Sequence, residues 1–132
     1  GNIFGFELER PTFFGMALTN LRQKKEIVMD CSLSTERDFL PIEVFCQLLD
    51  QIITTLPIGI FNLSSGRAIS VGDIGSAIIS GFGMGSITSN NPEIKDPFSL
   101  KIIKLQNLLG FEITRDDVLA AAHKTGELLK NA

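Results

Sequence analysis

Residues 42–55 constrain the fold more than any other stretch. Val44, Phe45, Leu48, Leu49, Ile52 and Ile53 advance in adjacent pairs every four residues. That spacing lays one broad apolar stripe along a helix, and Pro57 stops it. The stripe predicts packing on a sheet through Val44, Leu48 and Ile52, or through their neighbours one residue on. With 132 residues and 44% hydrophobic content, the chain can build one domain with one core. Disorder needs the opposite balance, low hydrophobicity with high net charge.

The other elements follow from local signals. Residues 11–25 read as a helix with Pro11 in its first turn and Phe14, Leu18 and Leu21 on its apolar side. Phe13 and Phe14 are adjacent, so one of the two is expected to face a given core, as packing rather than as a base-stacking platform. Glu26-Ile27-Val28-Met29 is a short strand candidate. Residues 58–63 are apolar and rich in β-branched and aromatic side chains, which predicts a buried strand. Ser64-Ser65-Gly66 turns the chain. Ser70-Val71-Gly72-Asp73 has the pattern of a capping box and opens a helix through Ile74, Ala77 and Ile78. Residues 81–97 are rich in glycine, proline and small polar residues, which predicts a loop. Residues 99–103 form a further strand candidate, and residues 104–109 a short helix ended by Gly110. Thr114-Arg115-Asp116-Asp117 is a second capping box, opening a last helix with Val118, Leu119, Ala122 and Leu129 inward. The sum is an α/β pattern: a small mixed domain with few strands and several helices, part of whose sheet is expected to belong to a missing neighbour.

Composition excludes several functions. The net charge is −3, with no Lys/Arg block to suit a nucleic-acid surface. Arg22, Lys24 and Lys25 suit the end of a helix, where cations complement the dipole. No stretch approaches the ~18 apolar residues of a membrane span, and the N-terminus lacks the charged start and apolar run of a signal peptide. Cys31 and Cys46 are the only cysteines and match no metal spacing, so two free thiols in a reducing, cytoplasmic setting are expected.

No catalytic constellation emerges from the residues themselves. Gly81-Phe82-Gly83-Met84-Gly85-Ser86 has Ser86 where a dinucleotide fingerprint needs its third glycine, and it follows a helix rather than a strand. His123 is the only histidine and has no nucleophile signature beside it. Asp116 and Asp117 are explained by their place in a helix first turn. Arg37, in Arg37-Asp38-Phe39-Leu40, carries a planar fork suited to a carboxylate or a diphosphate. The alternative is a surface ion pair with Glu36 or Asp38.

Five segments, read in order, resemble the C-terminal half of extended short-chain dehydrogenases/reductases that act on nucleotide sugars. Asn2-Ile3-Phe4-Gly5 is similar to the family's Asn-x-Tyr/Phe-Gly. Arg37-Asp38-Phe39-Leu40 is similar to its Arg-Asp-aromatic-aliphatic motif, followed by the expected helix. Gly59-Ile60-Phe61-Asn62-Leu63-Ser64-Ser65-Gly66 resembles its Gly-x-aromatic-Asn-aliphatic-x-Ser/Thr-Gly. Ala68-Ile69-Ser70-Val71 resembles the entry to the next helix, and residues 100–111 resemble its Leu-Asp-x-Ser-Lys run ending in Leu-Leu-Gly-aromatic. There are departures. Pro41-Ile42-Glu43-Val44 stands for His-Val-Asp-Asp, Lys101 and Ile103 replace the Asp and Ser, and residues 88–96 hold no arginine, with Lys95 as the nearest substitute.

The resemblance implies the substrate lobe of an extended Rossmann-type enzyme, residues 1–132, with the cofactor-binding domain outside the chain. Asn2 and Arg37 are the substrate-binding residues carried over, Arg37 for the diphosphate and Asn2 for phosphate or sugar. NAD or NADP would serve the parent and not this fragment. The glycine-rich loop and the Tyr-x-x-x-Lys dyad are expected upstream, and the chain has no tyrosine. The partners implied are a nucleotide-sugar substrate and an N-terminal Rossmann domain, with a homodimer left open. The competing expectation is a non-catalytic binding or interaction module with the same lobe fold.

Overall fold

The computed structural model describes residues 2–132. Three parallel and antiparallel strands form the first sheet, in the order β1 (Asn2–Phe4), β3 (Glu36–Pro41), β4 (Ala68–Ser70). β1 runs parallel to β3 and β4 antiparallel to it. A second, two-stranded parallel sheet pairs β2 (Glu26–Met29) with β5 (Ser86–Ser89). Five helices complete the α/β fold: α1 (Phe13–Lys24), α2 (Ile42–Thr55), α3 (Val71–Phe82), α4 (Ile103–Leu109) and α5 (Arg115–Lys130).

Alternation along β3 splits the interior into two clusters. Successive strand residues face opposite sides. Phe39 therefore joins the main core with Phe4, Phe14, Leu18 and Ile74, while Leu40 joins a small second cluster with Leu48, Ile102 and Leu105. α3 and α5 close the main core against each other at two glycines. A side chain at Gly81 would strike the backbone of His123, and one at Gly126 the carbonyl of Ile78. The two helix backbones meet in direct contact there, which buries Ile78 and Ala122 completely.

Capping explains the helix ends. Thr12 caps α1 by accepting from the Gly15 N–H at 3.0 Å, so Pro11 lies outside the helix and not in its first turn. Ser70 caps α3 through the Asp73 N–H, but the Asp73 carboxylate turns to Arg115 of α5, so the expected reciprocal box is half formed. The Thr114 box is complete in both directions. Its hydrogen bond from the Thr114 backbone N–H holds the Asp117 carboxyl below the usual carboxylate range.

Several readings of strand and loop need correction. Residues 58–63 form no strand: Ile58 is fully exposed and Ile60 nearly so, because an apolar run cannot become a strand without a ladder partner beside it. Residues 99–103 form no strand either. Pairing there is a single bridge between Phe98 and Arg37, and α4 starts at Ile103. Residues 81–97 are not all loop, since α3 runs to Phe82 and β5 occupies Ser86–Ser89. Strands β1, β3 and β4 carry no strand signal in the sequence: two of them are three residues long, and β3 opens on three charged residues.

The stripe of α2 is also covered on one side only. Leu48 is 2% exposed, but Leu49 is 40% and Ile53 62% exposed. Phe13 and Phe14, by contrast, share one core. Phe14 stacks on Phe4 at 4.4 Å between centroids, and Phe13 meets Phe14 at 5.2 Å and Phe39 at 5.8 Å.

Candidate substrate-binding site

β3 carries the central residue. Arg37 is one position before the fully buried Asp38, and the pleat turns the two to opposite faces. On its face Arg37 helps to line a cavity of about 200 Å³ between α1 and the end of β2. Phe13, Met16 and Asn20 come from α1; Met29, Asp30 and Cys31 come from β2 and the turn beyond it. The cavity is thus mostly apolar, with one guanidinium, one amide, one carboxylate and one thiol at its wall.

Arg37 pairs with neither Glu36 nor Asp38. Its Nε donates to the carbonyl oxygen of Asp96 at 3.2 Å, and its Nη2 lies 3.3 Å from the Asp96 carboxylate. Asp96 is 59 residues away in sequence, which is why no local reading could find it. Lys95 stands beside it, exposed and outside the cavity wall.

Asp38 is committed elsewhere. Its carboxylate accepts the Ser65 N–H at 2.9 Å, the Ser65 hydroxyl at 2.7 Å and the Gly66 N–H at 2.9 Å. A buried carboxylate needs such donors, and three of them satisfy it without a cation. The Ser64-Ser65-Gly66 turn is thereby fixed under β3. The sequence signal for this was present: a strand whose next two residues are Phe39 and Leu40 is buried on both faces, so its Asp must find donors inside.

Asn2 lies on β1 opposite Phe39. Its side-chain amide donates to the carbonyl oxygen of Asp38 at 3.1 Å. By register Asn2 and Arg37 belong to the same face of the sheet, two residues apart across the ladder, but Asn2 does not line the Arg37 cavity. The two candidates are therefore near neighbours without sharing one pocket.

A second cavity of about 230 Å³ opens between the start of α2 and α5, lined by Phe4, Phe6 and Val44 with Glu43, Asp117 and Lys124 among its polar groups. Asp117 there is held by its capping box. His123 sits on α5 with Nε2 3.4 Å from Glu127. Cys31 is buried, Cys46 exposed, and both are free. The glycine segment 81–86 is no phosphate cradle. Gly83 caps α3 in the left-handed conformation, and Gly85 packs inward, where a Cβ would come within 2.6 Å of Leu21 and 3.0 Å of the Lys25 carbonyl oxygen. Among the described residues no helix is long and apolar enough to cross a membrane.

No protein-family model matches the chain, and no curated protein does. Solved structures do. UDP-N-acetylglucosamine 4-epimerase from Bacillus cereus superposes with a TM-score of 0.76 at 17% identity, over 98% of this chain and 46% of its own. The epimerase Mth375 from Methanothermobacter thermautotrophicus gives 0.74 at 18% identity, over 99% and 44%. The dTDP-glucose 4,6-dehydratase from Bacillus anthracis, solved in complex with NAD, gives 0.69 at 17% identity, over 96% and 42%. The chain spans less than half the length of each. Its fold is that of the C-terminal part of the NAD-dependent nucleotide-sugar epimerase and dehydratase structures.

Proposed function

We propose that this chain is the substrate-binding lobe of a cytoplasmic NAD(P)-dependent nucleotide-sugar epimerase, dehydratase or reductase, and that Arg37 holds the diphosphate of the substrate. The observation that carries the reading is the Arg37 guanidinium in the wall of an apolar cavity, within a fold shared with enzymes named for UDP- and dTDP-sugars. A guanidinium is the side chain best matched to two phosphate oxygens at once. Asn2, one strand over, would contact the phosphate or sugar.

The described residues do not fit a nicotinamide dinucleotide. The one glycine-rich segment is a helix C-cap packed on α1. The cofactor and the Tyr-based acid/base chemistry are assigned to a second, Rossmann-type domain of the parent, and no step of hydride transfer is routed through this lobe. That domain would cover the outward side of α2 and the unpaired segment 58–63, whose Ile53, Leu56, Ile58 and Ile60 are between 62% and 100% exposed. Isolated apolar residues on a surface need no explanation, but a contiguous helix side running into an unpaired apolar segment marks an interaction face.

One feature favours the alternative, a binding module without catalysis. Residues 88–96 offer no arginine, and Lys95 is exposed and does not line the cavity. Calorimetric titration of the purified protein with UDP and dTDP separates the possibilities from an unrelated role. Loss of charge-assisted hydrogen bonds in Arg37→Ala costs roughly 1.5–3 kcal/mol each, at least about tenfold in affinity. Arg37→Lys should fail to restore it, because an ammonium lacks the planar fork. An unchanged dissociation constant for Arg37→Ala would remove the assignment. The chain by itself should give no nucleotide-sugar-dependent reduction of NAD or NADP.

A further inference from the structure

Arg37 is gripped from one side by a segment that belongs to no helix or strand. Residues 94–98 are clipped at both ends, to the turn after β2 at Ile94 and to β3 at Phe98. The Ser32 N–H donates to the Ile94 carbonyl at 2.6 Å, the Phe98 N–H to the Glu36 carbonyl at 3.0 Å, and the Asp38 N–H to the Phe98 carbonyl at 2.8 Å. Between those clips Asp96 presents two acceptors, its own carbonyl oxygen and its carboxylate, to Nε and Nη2 of Arg37. Those two nitrogens form one edge of the guanidinium. Asp96 is not among the residues lining the cavity that Arg37 lines. The carboxylate thus holds the guanidinium from outside the cavity and leaves Nη1 uncommitted.

We infer that Asp96 is a positioning residue: it fixes the orientation of Arg37 so that the free edge of the guanidinium faces an anionic ligand in the cavity. This rests on the reading of Arg37 as the diphosphate holder. Two effects of Asp96 oppose each other. Its negative charge repels an anion, while its grip removes rotamer freedom that Arg37 would otherwise lose on binding. Asp96 is 78% exposed and Arg37 25% exposed, so the repulsion is screened by water and salt. The side-chain entropy of an unheld arginine, with its several rotatable bonds, is the larger quantity. Immobilising it in advance is a gain in affinity. The backbone clips matter because they make the strap a fixed post rather than a second flexible partner.

The test is a double-mutant cycle read by calorimetry on the purified protein, with inorganic pyrophosphate and UDP as probes. Asp96→Ala should weaken binding of both roughly three- to fivefold, the scale of a partly exposed ion pair, with the melting temperature unmoved. In the Arg37→Ala background the same substitution should change nothing. Tighter binding in Asp96→Ala would overturn the inference, since Asp96 would then be a competitor for the guanidinium. An equal loss in the presence and absence of Arg37 would also overturn it, because Asp96 would be acting on the ligand or on the fold directly. An Arg37→Ala protein that binds as well as wild type would instead sink the diphosphate reading, and the inference with it.

Discussion

α5 and α2 are both amphipathic helices with comparable runs of apolar residues, yet one is sealed and the other is half open. α5 lies against α3 with Gly126 over the Ile78 carbonyl and Gly81 under the His123 backbone, and Val118, Ala122 and Leu129 are all buried. α2 buries Leu48 alone, while Leu49 and Ile53 one residue on stay in solvent. The difference lies in what the chain supplies as a neighbour. α5 finds α3, a helix with small residues at the right positions. The second side of α2 finds nothing among the described residues, and Ile58 and Ile60, which follow it in the chain, are equally bare. An apolar stripe states how much surface is to be hidden; it does not state that the hiding partner is in the same chain.

The sealed side breaks first. Gly126→Ala puts a Cβ on the Ile78 carbonyl, 2.8 Å from the Phe82 nitrogen. These are backbone atoms of a neighbouring helix and cannot swing aside, so α3 and α5 must separate. Overpacking of this kind costs roughly 1–3 kcal/mol, more when the obstacle is rigid; about 3 kcal/mol is expected here. Chemical denaturation of the variant measures it. A loss under about 0.5 kcal/mol would mean the two helices are not in backbone contact.

Leu48→Ala tests the closed half of α2. Leu48 is 2% exposed and belongs to the small cluster with Leu40, Ile102 and Leu105. Truncating a buried leucine costs roughly 2–5 kcal/mol. A cluster this small can collapse around the gap, so about 2 kcal/mol is expected, read from the same denaturation curve. A negligible change would place the whole of α2 outside the core.

Much of this fold could be read from the sequence because the signals were local. The bounds of α2 follow from its periodicity and come out at Ile42–Thr55. The Thr114-x-x-Asp117 box forms as its spacing demands. What stayed hidden depends on partners distant in the chain. Ser86–Ser89 looks like loop because three of its four residues are small and polar and Gly85 precedes it; it becomes a strand only because β2 lies beside it. Ile58 to Leu63 looks like strand and is not one, for want of such a neighbour. At the proposed site, the sequence offers Arg37 as a fork for an anion, and Asn2 by resemblance alone. Asp96 was not legible, being brought in from 59 residues away. The alternative reading of Arg37 offers Glu36 or Asp38 as a surface partner; Asp38 is instead a buried clamp on Ser65 and Gly66.

The smallest effect is the most telling one. Leu49→Ala and Ile53→Ala should each change the stability of the chain by less than about 0.5 kcal/mol, the range for surface positions. Both side chains already meet water, so removing methyl groups loses little transfer energy and leaves no cavity. The sequence stripe alone assigns Leu49 the same cost as Leu48; the exposure of 40% against 2% separates them. A loss near 2 kcal/mol at Leu49 would mean that the helix turns its other side inward. If a second domain covers this face, the same substitutions become costly once that domain is present. Leu49→Asp, silent in the isolated chain, should then weaken association with the parent's other half, because a carboxylate would be buried there without a partner. Measuring one pair of variants in the isolated chain and in the whole parent reads the open side of α2 directly. An equal, small effect in both would show that the face stays in solvent and that the exposed stripe needs no cover at all.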